Sequence, residues 1–476
     1  MGKSLLFLVG GLTIITGFMQ VQNQERMKTL PEVTSAYFEE QQARNIAKSL
    51  IDNAIEHMKA DNSWTDSLTL TEVMNAGSMV TRSSDNLKTV VKGLLGGVLQ
   101  EVEDVVEELE PEELQAKLLQ NGMSGTLKSY TSSSSYIPPN NNVGAWDEYK
   151  LLLISTSTYD NIEVTTEVLM QRDSYSKYSY MTDSELSSSG SNIWFMGNDN
   201  IYGPIHTNGT FRMSGTPSFY GLITSPNSWI AHSTNGANPN FFGGENFNAP
   251  DKSSPSSYEI NKLTAAAAAG GLTFTNQIDV VFRESGGVGY ADIREYNGSW
   301  GAVTSYDLST INGVISTTGR IDVEGVVKGQ VTLHSESLIE IDGDITYFTD
   351  PLVDSTSTDM LGIVSEADVR VDANAHSASG SQDLDIHASI MALNTSFYVE
   401  NYSSYSPRGT LNLLGGLIQK NRGPVGTFSG SSIVSGYSKN YQYDGRLKGS
   451  IPPNFPRESV FSIVYWKDEV VDVSGN

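Results

Sequence analysis

The spacing of apolar residues changes three times along this chain, and each change predicts a different element. From Leu5 to Met19 the run LLFLVGGLTIITGFM carries no charge and extends to Val21 if Gln20 is passed over. About 20 apolar residues span a bilayer, so the stretch predicts a membrane anchor built from Leu5, Leu6, Phe7, Leu8, Val9, Leu12, Ile14, Ile15 and Phe18. No small-x-small cleavage pattern follows it, which favours a retained anchor over a removed signal. Next, Ala43, Ile46, Ala47, Leu50, Ile51, Ala54, Ile55 and Met58 recur at spacings of three and one, with Arg44, Lys48, Asp52, Asn53 and Glu56 on the other faces. That is the stripe of an amphipathic helix. Residues 1–22 are expected to be the anchor and 23–62 a helical stalk.

Helical spacing returns at Leu87, Val90, Val91, Leu94, Leu95, Val98, Leu99 and Val102, followed by the acidic stretch EVEDVVEELEPEELQAKLL. Residues 63–128 are therefore expected to be a helical acidic insert, whose charged face reads as a solvated surface. The Ser, Pro and Asn of residues 129–146 mark a linker. Beyond Trp146 the period becomes two. YKLLLISTSTYDNIEVTTEVLMQR predicts two paired strands joined at TYDN, within a strand-rich region covering 147–200.

The period of two then acquires a longer rhythm. GPIHTNGTFRMSG, Gly203 to Gly215, is echoed by GVISTTGRIDVEG, Gly313 to Gly325. Ile205 aligns with Ile315, Thr207 with Thr317 and Gly209 with Gly319. Phe211 and Met213 meet Ile321 and Val323. Strands this short cannot fill a sandwich or barrel singly, whereas stacked rungs bury a continuous apolar column. Residues 201–476 are thus expected to be a parallel β-solenoid of the β-helix kind, with the polar tract Asn227 to Ser257 hanging from it as a loop and TAAAAAGG ending a short helix. The expected class is mainly β with N-terminal α.

Composition narrows the function. The formal charge of −25 repels nucleic acid. The absence of cysteine removes disulfides, thiol catalysis and cysteine–metal sites. None of the six histidines has a metal-binding spacing. His206, Asn208 and Arg212 are candidates for a ligand groove, although Ser316 stands at the place of His206 in the second copy and favours a structural corner. Asp342, Asp344 and Asp350 in DGDITYFTD supply hard oxygen donors that calcium would suit, without the order of an EF-hand loop. Asp322, Glu324, Glu340 and Asp342, with Arg320, could share one outer wall, as a polysaccharide lyase or glycosidase requires. No nucleophile elbow, P-loop or dinucleotide fingerprint is present, and neither a catalytic residue nor an organic cofactor is expected.

The anchor followed by EEQQARNIAKSLIDNAIEHM resembles the N-terminal region of type IV pilin-like proteins, especially large minor pilins. SYSKYSYMTDSE, IYGPIHTNGTFRMSGTPSFYG and YDGRLKGSIPPNFPRESVFSIVYWKDE resemble segments of an uncharacterised family of large, pilin-like bacterial envelope proteins. The resemblance implies an envelope location, membrane-anchored with the C-terminal body outside the cytoplasm, in the periplasm or at the cell surface. It also implies partners among pilin-like or secretion-platform proteins, and a structural role in assembly or adhesion. Exposed aromatics such as Tyr202, Tyr220 and Trp229 would suit a glycan ligand. The alternative is a polysaccharide-active enzyme on the same scaffold.

Overall fold

The computed structural model describes residues 36–58, 68–69, 124–132, 146–197, 199–378, 380–429 and 432–473. The expected anchor and most of the acidic insert lie outside the described residues. Among the described residues, no helix is long and apolar enough to cross a membrane. The chain divides into two compact units, Met1–Arg172 with Val460–Asn476, and Asp173–Ser459. The fold is mainly β, with a helix near the N-terminal end.

In the first unit the helix over residues 36–58, α1, follows the stripe read from the sequence. Ile46, Leu50, Ile51, Ala54 and Met58 pack on Leu127, Leu151, Leu153, Val168 and Met170. Ala43 and Ala47 meet Ile162 and Val164. The sheet beneath runs in the order Leu68–Thr69, Ser124–Tyr130, Lys150–Tyr159, Ile162–Ser174, Arg457–Asp472. Its first four strands pair antiparallel in turn. The TYDN hairpin closes through Asp160 at φ 53°. Ser157 Oγ donates to the Ala43 carbonyl at 2.7 Å, and Arg44 bridges Glu40 on its own helix and Asp468 on the last strand.

Three sequence boundaries move. Ser124–Tyr130, expected at the junction of helical insert and linker, is a strand, because Thr126 and Ser124 face outward while Gly125 and Leu127 are buried. Arg457–Asp472, expected inside the solenoid region, joins the sheet of the first unit. Tyr180–Ser184, expected before that region, already belongs to the parallel pairing of the second unit.

The second unit is built on parallel ladders. In the first, Leu272–Phe274, Val314–Thr317, Gln330–Ser335, Met360–Ser365, Leu384–Ala392, Pro407–Asn421, Tyr180–Ser184, Ile205–Thr207, Ile223–Thr224 and Glu245–Asn246 pair successively in parallel. Register aligns one buried apolar residue per strand: Ile315, Leu333, Ile363, Ile390, Leu417, Tyr180, Ile205 and Ile223. A second ladder aligns Ile278, Ile321, Ile339, Val369 and Phe397. A third aligns Leu413, Tyr441, Ile201, Phe219 and Phe241. The inward side chains form one continuous core cluster.

The order of these strands is permuted. The chain enters at Tyr180 in the middle of the first ladder and pairs outward to Glu245–Asn246. It then returns through the helix Ser257–Gly270, α2, to Leu272 at the opposite end, and climbs back until Leu417 pairs with Tyr180. A 14-residue helix is about 21 Å long, against about 4.8 Å between neighbouring strands. Helix α2 therefore passes several strands, and its Ile260, Leu263 and Ala267 share a cluster with Val314, Val364, Met391, Ile418 and Met181. Asn227 to Ser257, expected as a hanging loop, instead contributes Ile230–Ala231, Asn240–Phe241 and Glu245–Asn246 to parallel pairs before α2 begins.

The repeated motif marks equivalent corners. Gly203 and Gly313 have φ of 84° and 83°, a region only glycine enters without cost. The Thr207 and Thr317 hydroxyls accept from the amides of Gly209 and Gly319 at 3.1 and 3.0 Å. Ile205 and Ile315 occupy the same ladder.

Candidate functional site

The candidate groove residues do not line one opening. His206 is fully buried, with Nδ1 2.8 Å from Thr224 Oγ1 and Nε2 2.9 Å from Asn208 Oδ1. Burial lowers its pKa, which keeps the imidazole neutral. The Asn208 amide donates to Asp183 and to the Lys252 carbonyl, and its oxygen accepts from the Lys252 amide. These residues fasten the segment before α2 to the ladder. Arg212 is elsewhere, donating to the Thr210 carbonyl.

The three aspartates of DGDITYFTD also separate. Asp344 accepts from Ser377 Oγ and from the amides of Ala378 and Asp385. Asp350 caps a turn through the Leu352 amide. Asp342 alone joins other acids. Its carboxyl oxygen lies within 4.8 Å of Asp322 and Glu340.

Of the expected wall, Asp322, Glu340, Asp342 and Arg320 come together, while Glu324 lies against His376, 3.6 Å away. Asp279, Asp322, Glu340 and Arg370 are register partners in the second ladder. Arg320 contacts both Asp322 and Glu340. Arg370 bridges Glu340 at 2.5 Å and Glu400 at 3.1 Å, and Arg294 pairs with Asp279 at 2.5 Å. The guanidinium groups supply much of the countercharge a cation would bring. Asp342 is the exception. Burial, then the charges of Asp322 and Asp372, push its carboxyl up to about 7, against the pull of Arg320. A half-buried acid raised this far can exchange a proton near physiological pH.

A second feature escaped the sequence reading. Beyond Phe397–Val399 the second ladder loses its regular strands, and residues 422–425 and 186–196 continue it through isolated contacts. Val399 donates to the Pro424 carbonyl, Arg422 to the carbonyls of Ser184 and Leu186, and Phe195 to that of Arg212. The irregularity leaves a cleft of about 620 Å³ lined by Trp194, His232, Asp368, Tyr398, Tyr402 and Lys439, among others. Trp194 and His232 meet edge to face at 4.6 Å. Behind them lies the buried Arg422, whose guanidinium sits 3.8 Å over the Phe195 ring. It donates to Glu185 at 3.0 Å and to the Trp194 carbonyl at 3.2 Å. Asp368 accepts from the Thr395 hydroxyl and the Ser396 amide. Burial lowers Lys439 to about 8, with Asp199 4.0 Å away. Trp194 reads as one more strand residue in NIWFMG, and in the irregular pairing around it the ring is left half-buried beside the cleft.

A third feature is an exposed aromatic array. IYG, FYG and FFG, starting at Ile201, Phe219 and Phe241, repeat an inward apolar residue, an outward ring and a glycine. Tyr202 stacks on Tyr220 at 4.5 Å, and Tyr220 on Phe242 at 5.1 Å.

The family model described as a domain of unknown function (DUF4900) matches residues 155–227. No curated relative matches the chain. Among solved structures, the competence-associated pilin ComZ from Thermus thermophilus is similar at 11% identity and a TM-score of 0.29, over 73% of this chain and 84% of that one.

Proposed function

We propose that this chain is a non-enzymatic, pilin-like protein of the bacterial envelope. Its N-terminal segment holds it in the membrane, and Asp173–Ser459 is a parallel β-solenoid displayed outside the cytoplasm for adhesion or assembly. The observation that carries the reading is α1. Its apolar stripe is buried on an antiparallel sheet, and it follows a charge-free run, residues 5–19, in the sequence. A hydrophobic segment leading into a helix that packs on such a sheet is the plan the pilin resemblance implies. The in-register apolar rungs of the second unit support the solenoid reading, since each short strand is buried only by its neighbours above and below.

Fractionation tests the anchor. The full chain partitions with membranes and resists carbonate extraction, whereas a chain lacking residues 1–22 becomes soluble. Equal solubility of the two rejects the proposal.

One observation favours a second reading, a polysaccharide-active enzyme: the Asp342 carboxyl at about 7 beside Asp322 and Glu340. Glycosidases pair a raised carboxylic acid with an ionised one. Turnover of a glycan by the full chain, abolished in Asp342→Asn, would support it. No turnover across neutral and acidic glycans counts against it.

A further inference from the structure

The geometry points to the cleft between Trp194 and Tyr398 as a binding site for a saccharide chain. The inference goes beyond the envelope reading and does not depend on membrane attachment. Its basis is the break in the second ladder, where regular parallel strands stop at Val399 and resume at Arg212. The volume of about 620 Å³ falls within the range of about 300–1,000 Å³ typical of small-ligand sites.

The lining selects the ligand class. Trp194, His232, Tyr398 and Tyr402 present rings that are partly open rather than buried in the core, and aromatic faces accept the C–H faces of pyranose rings. Around them the rim is hydroxyl and amide: serines of the 187–191 loop, Asn192, Asn235 and Thr395. Such groups both donate and accept, as sugar hydroxyls do. Charge argues against an anionic ligand. The one lysine lining the cleft, Lys439, is lowered to about 8 and faces Asp199, while Asp368 adds a further carboxylate.

The platform is also held in advance. Arg422 is 3% exposed and fixes the Trp194 carbonyl, and its own charge is met by Glu185. The Trp194 backbone is thereby positioned before any ligand arrives, which reduces the ordering cost of binding.

The test uses the full chain in detergent micelles, titrated with soluble hexasaccharides of glucose, galactose and N-acetylglucosamine. Tryptophan fluorescence and calorimetry provide the readouts. At least one series is expected to bind saturably, and Trp194→Ala and Tyr398→Ala each to weaken it by about ten-fold or more, the usual effect of truncating an aromatic anchor. Asn235→Trp, an exposed rim position, blocks the cleft without removing core contacts and is expected to abolish binding with an unchanged unfolding midpoint. Tyr202→Ala, in the exposed array, leaves affinity unchanged. The inference is overturned if no series saturates. It is equally overturned if binding survives in both Trp194→Ala and Asn235→Trp, or if unstructured peptides bind the cleft and the sugars do not. Loss of membrane retention would reject the anchoring proposal and leave these titrations unaffected.

Discussion

Gly221→Ala places one methyl group where two backbone segments touch. A Cβ at Gly221 would lie 1.7 Å from the Gly203 carbonyl oxygen and 2.1 Å from its carbon, where real Cβ contacts essentially never fall under 3.0 Å. The obstacle is backbone, so no side chain can swing aside. The two segments must separate by at least the difference, about 1.3 Å, against a strand spacing of about 4.8 Å. The bonds nearest the contact are Tyr220 N–H to the Ile201 carbonyl at 2.8 Å and Ile205 N–H to the Leu222 carbonyl at 2.9 Å. Stretching both past bonding distance leaves the Ile201 carbonyl and the Ile205 amide, on buried residues, unsatisfied, at about 1–3 kcal/mol each. Disturbed packing of Phe219 and Ile223 adds to this, for a total of about 3–6 kcal/mol. Guanidinium denaturation followed by far-UV circular dichroism reads the loss as a lower midpoint. Hydrogen exchange should localise it to Ile201, Phe219 and Ile223. Gly445→Ala is the control, because nothing lies within 4 Å of its Cβ position. If Gly221→Ala unfolds together with Gly445→Ala and the wild type, Gly203 and Gly221 do not lie in contact and the reasoning fails.

Three further outcomes follow from particular residues. The Asp342 carboxyl is raised in the folded chain to about 7 from 3.8, so between those values the folded state holds a proton the unfolded state has released, and stability falls as pH rises from about 4 to 7. The full difference is worth about 4 kcal/mol, which partial solvent exposure reduces to about 1–2 kcal/mol. Asp342→Asn should therefore stabilise the protein at pH 8 and not at pH 4, as thermal melts at the two pH values will test. Arg422→Met strands the buried Glu185 carboxylate and should cost about 3–5 kcal/mol in denaturant titration, with Arg422→Met plus Glu185→Leu recovering much of it. Ile51→Asp puts an unpaired carboxylate into the fully buried face of α1 and should unfold the first unit at a denaturant concentration that leaves the second folded, giving two resolved transitions by hydrogen exchange.

Local patterns were legible in the sequence, and pairings between distant segments were not. The stripe from Ala43 to Met58 and the hairpin at TYDN depend on neighbours three to four residues apart, or directly opposite across a turn, so periodicity suffices to find them. The acidic wall was legible in part, because residues two apart on a strand share a face; which strands lie side by side was not. The junction of Leu417 with Tyr180 had no such signal. Nothing near Tyr180 records that its partner arrives much later in the chain, after a detour through α2. The two-residue strands Ile230–Ala231 and Glu245–Asn246 carry too few apolar positions to show a period, and their polar surroundings read as loop. Arg457–Asp472 alternates like any strand, and its assignment to the sheet containing Ile162–Ser174 is a matter of topology. The cleft escaped because it forms where regular strands give way to isolated pairings. Nothing in the local pattern around Trp194 records that irregularity.

The permuted closure is the claim on which the rest depends, and the cysteine-free chain allows it to be measured cleanly. Ser184 and Asn421 are register partners across the parallel junction, and side chains at such positions point to the same face at a separation a disulfide can span. Ser184→Cys combined with Asn421→Cys should form an intramolecular disulfide under mild oxidation, detected by mass spectrometry of proteolytic fragments. A chain that folds normally yet leaves both thiols free would contradict the closure and, with it, the proposed solenoid.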